Sequence, residues 1–297
     1  MPKRVLVTGK DGQLGKSIEQ IAQQYPQYDF EFVGRERLDL SSAENINEFF
    51  VGKHFDVIIN CAAYTAVDKA ETETDLADKI NHLAVKQLAE ISTQQESVLI
   101  HISTDYVFNG QKFKPYIESD LTEPQSIYGA TKLKGEQTIQ QINPKGCIIR
   151  TSWVYSEYGN NFVKTMLRLG HERDSLNVIF DQVGTPTYAG DLAKTILQMV
   201  DGGHSRLSIQ NFKFCNVYHY SNEGVCSWYD FAKTVFELSN IDCRVSPIET
   251  KDYPTAAQRP HYSLLNKAKI KHDFELEIPY WKDSLQKCIH KLQGQCK

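Results

Sequence analysis

The run Val5-Leu6-Val7-Thr8-Gly9-Lys10-Asp11-Gly12-Gln13-Leu14-Gly15 constrains this chain more than any other stretch of it. Three glycines stand three apart, directly after a short β-branched strand and at the opening of a helical segment. Gly9 permits a tight turn, Gly12 lets main chain approach a pyrophosphate, and Gly15 allows helix and strand to pack closely. The helix N-terminus, with its unpaired N–H groups, then faces the anion. The spacing is G-x-x-G-x-x-G rather than G-x-G-x-x-G, which points away from ordinary two-domain dehydrogenases.

The strand before the loop is the first of five short apolar runs: Arg4–Thr8, Phe30–Val33, Val57–Asn60, Val98–Ile102 and Gly146–Arg150. Each is followed by a segment of helical period, the clearest stripe being Leu76, Ile80, Leu83, Leu88 and Ile91 between Asp75, Asp78 and Lys79. This alternation predicts an α/β fold, a doubly wound parallel sheet of Rossmann type, with ligands at the carboxyl ends of the strands. It fades after about residue 150. Residues 1–150 are therefore read as a dinucleotide-binding domain. Residues 151–297 are read as a smaller, mixed α/β and mainly substrate-binding domain, some of whose segments return to the first. Within it, Ser227-Trp228-Tyr229-Asp230 has the form of a capping box ahead of Phe231, Val235 and Leu238, and a last helix is predicted over Asp283–Leu292.

Composition excludes several classes. With 33 Lys+Arg against 37 Asp+Glu, the net charge of −4 leaves no positive excess for a phosphate backbone, so no nucleic-acid partner is expected. No run approaches the ~18 apolar residues of a membrane span. Met1-Pro2-Lys3-Arg4 leads straight into a segment too short for a signal-peptide core. A soluble, cytoplasmic protein without a membrane partner is expected. Seven cysteines, at 61, 147, 215, 226, 243, 288 and 296, lack the paired spacing of a zinc site and read as reduced thiols.

The second strand should end beside the adenosine ribose, where a basic side chain accepts a 2′-phosphate and an acidic one favours NAD. It runs Phe32-Val33-Gly34-Arg35-Glu36-Arg37, so Arg35 points to NADPH, while Glu36 keeps NADH as the alternative. Two Tyr-x-x-x-Lys patterns occur, Tyr128…Lys132 and Tyr229…Lys233. The first opens the helix between the fourth and fifth strands, near Ser103-Thr104-Asp105 at the carboxyl end of the fourth. The second lies far from any cofactor loop and reads as packing. An i, i+4 spacing puts phenol and ammonium on one helix face, and a nearby cation should lower the tyrosine pKa. Thr104 can donate to a carbonyl oxygen as charge develops there. Together these residues predict a carbonyl-reducing site, with hydride from a nicotinamide and a proton from Tyr128.

With the glycine loop, Asn60-Cys61-Ala62-Ala63-Tyr64-Thr65, Ser103-Thr104-Asp105-Tyr106-Val107-Phe108 and Tyr128-x-x-x-Lys132, the chain resembles the extended short-chain dehydrogenase/reductases. More narrowly, Ala66-Val67-Asp68-Lys69-Ala70-Glu71, Arg150-Thr151-Ser152-Trp153-Val154-Tyr155, Gly159-Asn160-Asn161-Phe162 and Ala257-Gln258-Arg259-Pro260 resemble the dTDP-4-dehydrorhamnose reductase branch, over nearly the whole chain. The resemblance implies NAD(P)H-dependent reduction of the C4 ketone of a dTDP-sugar, dTDP-4-dehydro-L-rhamnose, to a donor for cell-surface polysaccharide. It implies that Lys10 to Leu14, hence Lys10, Asp11, Gly12, Gln13 and Leu14, contact cofactor phosphates, Asp39 and Leu40 the adenine, and Ala62, Ala63 and Tyr64 the adenosine and ribose. Tyr128 would be the proton donor and Lys132 would also bind the nicotinamide ribose. Thr104 and Asp105 would meet the sugar, and Trp153 would hold the nucleotide sugar through its flat apolar face. Arg259 would take the diphosphate with its fork. Some relatives are magnesium-bridged dimers with glutamate ligands. Here Ser17 and Gly190 stand where acids would be expected, so no metal is predicted and a homodimer is left open. Two further readings fit the same residues: a reductase or epimerase of another nucleotide-linked 4-ketosugar, and a non-catalytic NADP-binding subunit like the partner of methionine adenosyltransferase.

Overall fold

The computed structural model describes residues 2–202, 208 and 211–294, so Met1 and Cys296 lie outside the described residues. Five parallel strands follow the expected runs: β1 (Lys3–Thr8), β2 (Tyr28–Val33), β3 (Val57–Asn60), β4 (Val98–Thr104) and β5 (Gly146–Thr151). Four short strands come next: β6 (Val154–Tyr155), β7 (Ser175–Ile179), β8 (Val183–Gly184) and β9 (Thr187–Tyr188). Then β10 (Cys215–His219) joins the main sheet, followed by β11 (Cys226–Ser227) and β12 (Arg244–Ile248). The main sheet runs β2-β1-β3-β4-β5-β10. All of its neighbours are parallel. Strand order reverses at β1, because the chain goes outward to β2 and returns on the other side as β3. In such sheets the crevice beyond the carboxyl ends of those two strands is where ligands bind.

Both faces of the sheet are covered, which is why its strands read as continuous apolar runs rather than alternating ones. On one face Val5, Val7, Ile59, Ile100 and Ile149 pack under α1 (Gln13–Ala22) and α8 (Ala189–Asp201), with Ile270 and Phe274 of α10 (Ala268–Phe274). On the other, Leu6, Ile58, Leu99 and Ile148 lie under α2 (Ala43–Phe50), α5 (Ala84–Gln94) and α6 (Ile127–Ile142). Elements beyond residue 150 thus complete the core that the first half begins. A separate cluster, built from residues 153–292, centres on Phe231, Val235, Trp281, Leu285 and Ile289. It joins α7 (Phe162–Glu172), α9 (Trp228–Ser239) and α11 (Trp281–Gly294). The capping box forms as expected: Ser227 Oγ accepts from Asp230 N, and the Asp230 carboxylate accepts from Ser227 N.

The expected apolar stripe over residues 76–91 departs from its pattern. After α3 (Val67–Ala70) and α4 (Thr74–Asp78), Lys79–Leu83 form a π-helical turn. The wider turn rotates the buried face. Leu83 is exposed, whereas Ala77, Asn81, Ala84, Val85 and Leu88 are buried. Among the described residues no helix is long and apolar enough to cross a membrane, and the six described cysteines are free thiols.

Candidate active site

One cleft of about 840 Å³ opens at the carboxyl ends of β1, β3 and β4. Gly9 sits at φ +68°, a region that favours glycine, and a Cβ there would lie 2.9 Å from Ala62 N. The loops after β1 and β3 can approach so closely only because that atom is missing. Gly15 is used in the same way from the helix side, but its close neighbours are the Gly9 carbonyl and Lys10 Cα, so it packs helix on loop. α1 begins with Gly12 as its N-cap, and no side chain supplies the cap hydrogen bond. The first N–H groups of the helix are therefore left for an anion in the cleft.

The expected residues do not all share this cleft. Gly9, Asp11, Gly12, Gln13, Leu14, Arg35, Asp39, Leu40, Ala62, Ala63, Tyr64, Thr104, Asp105, Tyr128, Lys132 and Trp153 line it. Lys10 instead turns its ammonium to Glu36. That contact withdraws Glu36, the acidic candidate for the ribose, and leaves Arg35 at the cleft wall with its side chain 73% exposed and 3.4 Å from Asp39. The Gln13 side chain ties the glycine loop to the following half: its Oε1 accepts from Ser156 Oγ and Asn161 Nδ2, and its Nε2 donates to Val154 O. Asn81, brought inward by the π turn, accepts from Tyr64 N at 2.9 Å and donates to Tyr64 O and Thr131 Oγ1.

Tyr128 stands in the first turn of α6, whose cap is Ser126 Oγ accepting from Gly129 N at 3.2 Å. Its ring meets Tyr106 edge to face at 5.4 Å. The expected lowering of its pKa is not seen. Loss of solvent pushes the phenol up to about 12, although the Thr104 hydroxyl beside it pulls the other way. The reason is where the ammonium points. Lys132 Nζ donates to Ile102 O at 2.7 Å and lies 3.2 Å from His101 Nε2, and burial brings Lys132 down to about 8 against the pull of Glu136. Thr104 Oγ1 donates to Asp105 Oδ1 at 3.1 Å. Burial raises Asp105 to about 7, with the hydroxyls of Ser263 and Thr104 opposing it. α6 is itself anchored by a buried pair, Glu136 with Arg150 of β5 at 2.7 Å.

Trp153 has φ +49°, a strained conformation for a bulky residue, and lines the cleft with an indole stacked on Trp228 at 3.6 Å. Arg259 does not line the cleft itself, although its charge reaches Tyr106, which does. Its fork grips Asp68 at 3.0 and 2.7 Å and its Nη1 also donates to Ala257 O, so three of its five donors are engaged. Sequence reasoning missed His101, Asn81 and the stacking role of Trp228. Of these, only His101 carried a visible signal, a histidine inside the apolar strand Val98-Leu99-Ile100-His101-Ile102. Among the described residues no group of three or more His, Cys, Asp or Glu side chains is arranged to hold a metal ion.

Comparisons with known proteins bear on this geometry. Residues 3–294 match the family model described as RmlD substrate binding domain. The chain is 39% identical to a dTDP-4-dehydrorhamnose reductase of Aggregatibacter actinomycetemcomitans, over 95% of this chain and 97% of that one. A dTDP-4-dehydrorhamnose reductase structure from Clostridium acetobutylicum superposes with a TM-score of 0.89 at 41% identity, covering 98% of this chain and 99% of that one. One from Bacillus anthracis in complex with NADP gives 0.90 at 38% identity, covering 98% and 100%.

Proposed function

The chain belongs to the RmlD substrate-binding-domain family of dTDP-4-dehydrorhamnose reductases, and from that premise we propose that it reduces the C4 ketone of dTDP-4-dehydro-L-rhamnose to dTDP-L-rhamnose. NADPH is the reductant, with NADH as the alternative. The observation that carries this reading is a single cleft that holds both an uncapped helix end behind a glycine turn and the group Thr104, Tyr128 and Lys132. A dinucleotide fits the donors present. The start of α1 takes the pyrophosphate, Asp39 and Leu40 the adenine, Ala62 to Tyr64 the adenosine ribose, Arg35 a 2′-phosphate and Lys132 the nicotinamide ribose. When bound, the reduced nicotinamide supplies the hydride for C4.

The protein's part is to meet the charge that develops on O4. Because burial holds Tyr128 protonated well above neutral pH, the resting phenol is already in the donor form, and it gives its proton to the oxygen. The Thr104 hydroxyl turns from Asp105 and donates to the same oxygen, which lowers the barrier as the alkoxide forms. Lys132, one turn along α6, keeps its ammonium on Ile102 O in the resting site, so its part is to bind the nicotinamide ribose rather than to lower the phenol pKa. Asp105 holds a sugar hydroxyl, and the free face of Trp153, braced by Trp228, lies against the nucleotide sugar. Arg259 meets the diphosphate with its remaining donors or by releasing Asp68.

The test is turnover. Purified full-length protein should oxidise NADPH in the presence of dTDP-4-dehydro-L-rhamnose, and Tyr128→Phe should lower kcat at least ~100-fold. A mutant that keeps its rate would overturn the assigned acid. Product NMR fixes the C4 configuration and separates this reading from a reductase or epimerase of another 4-ketosugar. Tight NADPH binding without turnover of any such sugar would instead favour the regulatory-subunit reading.

A further inference from the structure

At the carboxyl ends of the three central strands, the sheet face that packs under α6 turns from apolar to polar. Thr8 is the register partner of Asn60, and Asn60 of His101. Their side chains form a continuous row. Thr8 Oγ1 lies 2.7 Å from Asn60 Oδ1, Asn60 Nδ2 lies 3.0 Å from His101 Nδ1, and His101 Nε2 lies 3.2 Å from Lys132 Nζ. None of the four residues is more than 2% exposed. At the far end, Thr8 Oγ1 accepts from Ala62 N, in a loop that lines the cleft. The reduction described above uses Lys132 at one end of this row and leaves Thr8, Asn60 and His101 without a role.

We infer that His101, oriented by Asn60 and Thr8, is a positioning residue that holds Lys132 in its ammonium form, and that the ring tautomer of His101 changes when Lys132 loses its proton. The argument is one of donors and acceptors. A neutral imidazole has one of each, and an ammonium only donates. Facing the ammonium, Nε2 must be bare, so Nδ1 carries the proton and the amide oxygen of Asn60 must turn to it. Facing a neutral amine, Nε2 can donate to the nitrogen lone pair. Nδ1 then accepts from Asn60 Nδ2, and Asn60 Oδ1 accepts the Thr8 hydroxyl. Between the two states the pair gives up one proton, to water in the cleft, and the ring proton changes nitrogen.

His101 stays neutral throughout, because burial and then the charge of Lys132 hold its pKa well below the ordinary value. The charge that acts on the ammonium is Glu136 on α6, itself paired with Arg150 on β5, while Tyr128 and Asp105 line the same cleft. The segment packed on α6 presents the neutral Asn81. Without Nε2, the ammonium keeps only Ile102 O as an acceptor among these contacts, so its proton leaves at lower pH.

The inference rests on Lys132 serving the reaction, but its first test does not. Imidazole ¹⁵N NMR of the cofactor-free, full-length protein between about pH 6.5 and 9.5 should show one ring, missing in His101→Gln, whose protonated nitrogen switches while the ring remains neutral. A single tautomer across that range, or an imidazolium, overturns the inference whatever the activity. In the kcat–pH profile, His101→Leu should move the alkaline fall about one unit lower. His101→Gln, whose amide oxygen can replace Nε2 as acceptor, should restore the wild-type position. Equal loss at every pH in His101→Leu, or failure of His101→Gln to restore the profile, assigns the residue to packing alone. If His101→Leu does not fold, the tautomer measurement and His101→Gln decide. Retained activity in Tyr128→Phe would sink the catalytic reading and leave the NMR result standing.

Discussion

Tyr128…Lys132 and Tyr229…Lys233 are the same pattern in two places, each in the first turns of a helix that starts at a serine cap. Ser126 Oγ accepts from Gly129 N at 3.2 Å and Ser227 Oγ from Asp230 N at 3.1 Å, so the local structure is closely matched. The surroundings are not. Lys132 is 1% exposed and points into the sheet, at Ile102 O and His101. Lys233 is exposed, with its ammonium over its own tyrosine, 5.8 Å from the ring centroid. Tyr128 faces Thr104 and Asp105 in the main cleft, whereas Tyr229 borders an apolar depression with Phe180, Val183 and Pro247. The lesson is that an i, i+4 spacing supplies only proximity. Chemistry requires the pair to be desolvated at a sheet end where a ligand can reach it.

The largest effect should come from exchanging the two phenols in turn. Tyr128→Phe should cost at least ~100-fold in kcat, and Tyr229→Phe less than ~2-fold, in steady-state ketosugar reduction. Similar losses in both would break the comparison. Next is Asp105, the neighbour of Tyr128. Its native pKa of about 7 lies above the ordinary carboxyl value of 3.8, so the folded state binds the proton more tightly than the unfolded chain. The stability this confers is complete below about pH 4 and is lost as pH rises towards 7. Asp105→Asn should therefore gain roughly 2–3 kcal/mol over the wild type between about pH 5 and 8 in urea unfolding of the cofactor-free protein, while its activity falls. A constant difference across that range would show that the carboxyl is not desolvated.

Arg35→Ala should reduce the preference for NADPH over NADH by about tenfold, read as the ratio of kcat/KM values. An unchanged ratio would move the 2′-phosphate to other residues. Ser227→Ala should cost about 1 kcal/mol of stability, measured by urea unfolding, and leave kcat untouched. That result would confirm the second helix as a structural copy of the first pattern. The smallest effect belongs to Lys233→Met, expected within about 0.5 kcal/mol by the same measurement.

Much of the fold was legible because it rests on local rules. The glycine run, the first five strands, the capping box at Ser227 and the last helix all follow from periodicity and turn chemistry, and the structure reproduces them. The sixth strand was not legible. Cys215–His219 pairs with Gly146–Arg150 across some seventy residues, and no local signal specifies a partner at that distance. Within the stripe over residues 76–91, Leu88 and Ile91 are buried as expected, but Leu83 was misplaced because a π turn breaks the 3.6-residue period. At the site, Thr104, Tyr128 and Lys132 could be named as candidates by their place after the fourth strand, and the structure brings them into one cleft. The direction of the Tyr128 shift could not, because it depends on where the ammonium of Lys132 points.

The sequence alone thus determined the class of ligand and the place of the candidate acid. Three glycines at a strand end leave little else to do than approach a phosphate, and a tyrosine after the fourth strand of such a sheet stands at its carboxyl edge. Only the tertiary structure decided which charges are free to act. It paired Lys10 with Glu36 and Arg259 with Asp68, left Arg35 exposed, and placed His101 against Lys132. These outcomes depend on which groups lose water and which find partners across strands and loops far apart in sequence. Desolvation and pairing are properties of the packed chain, and no short pattern encodes them.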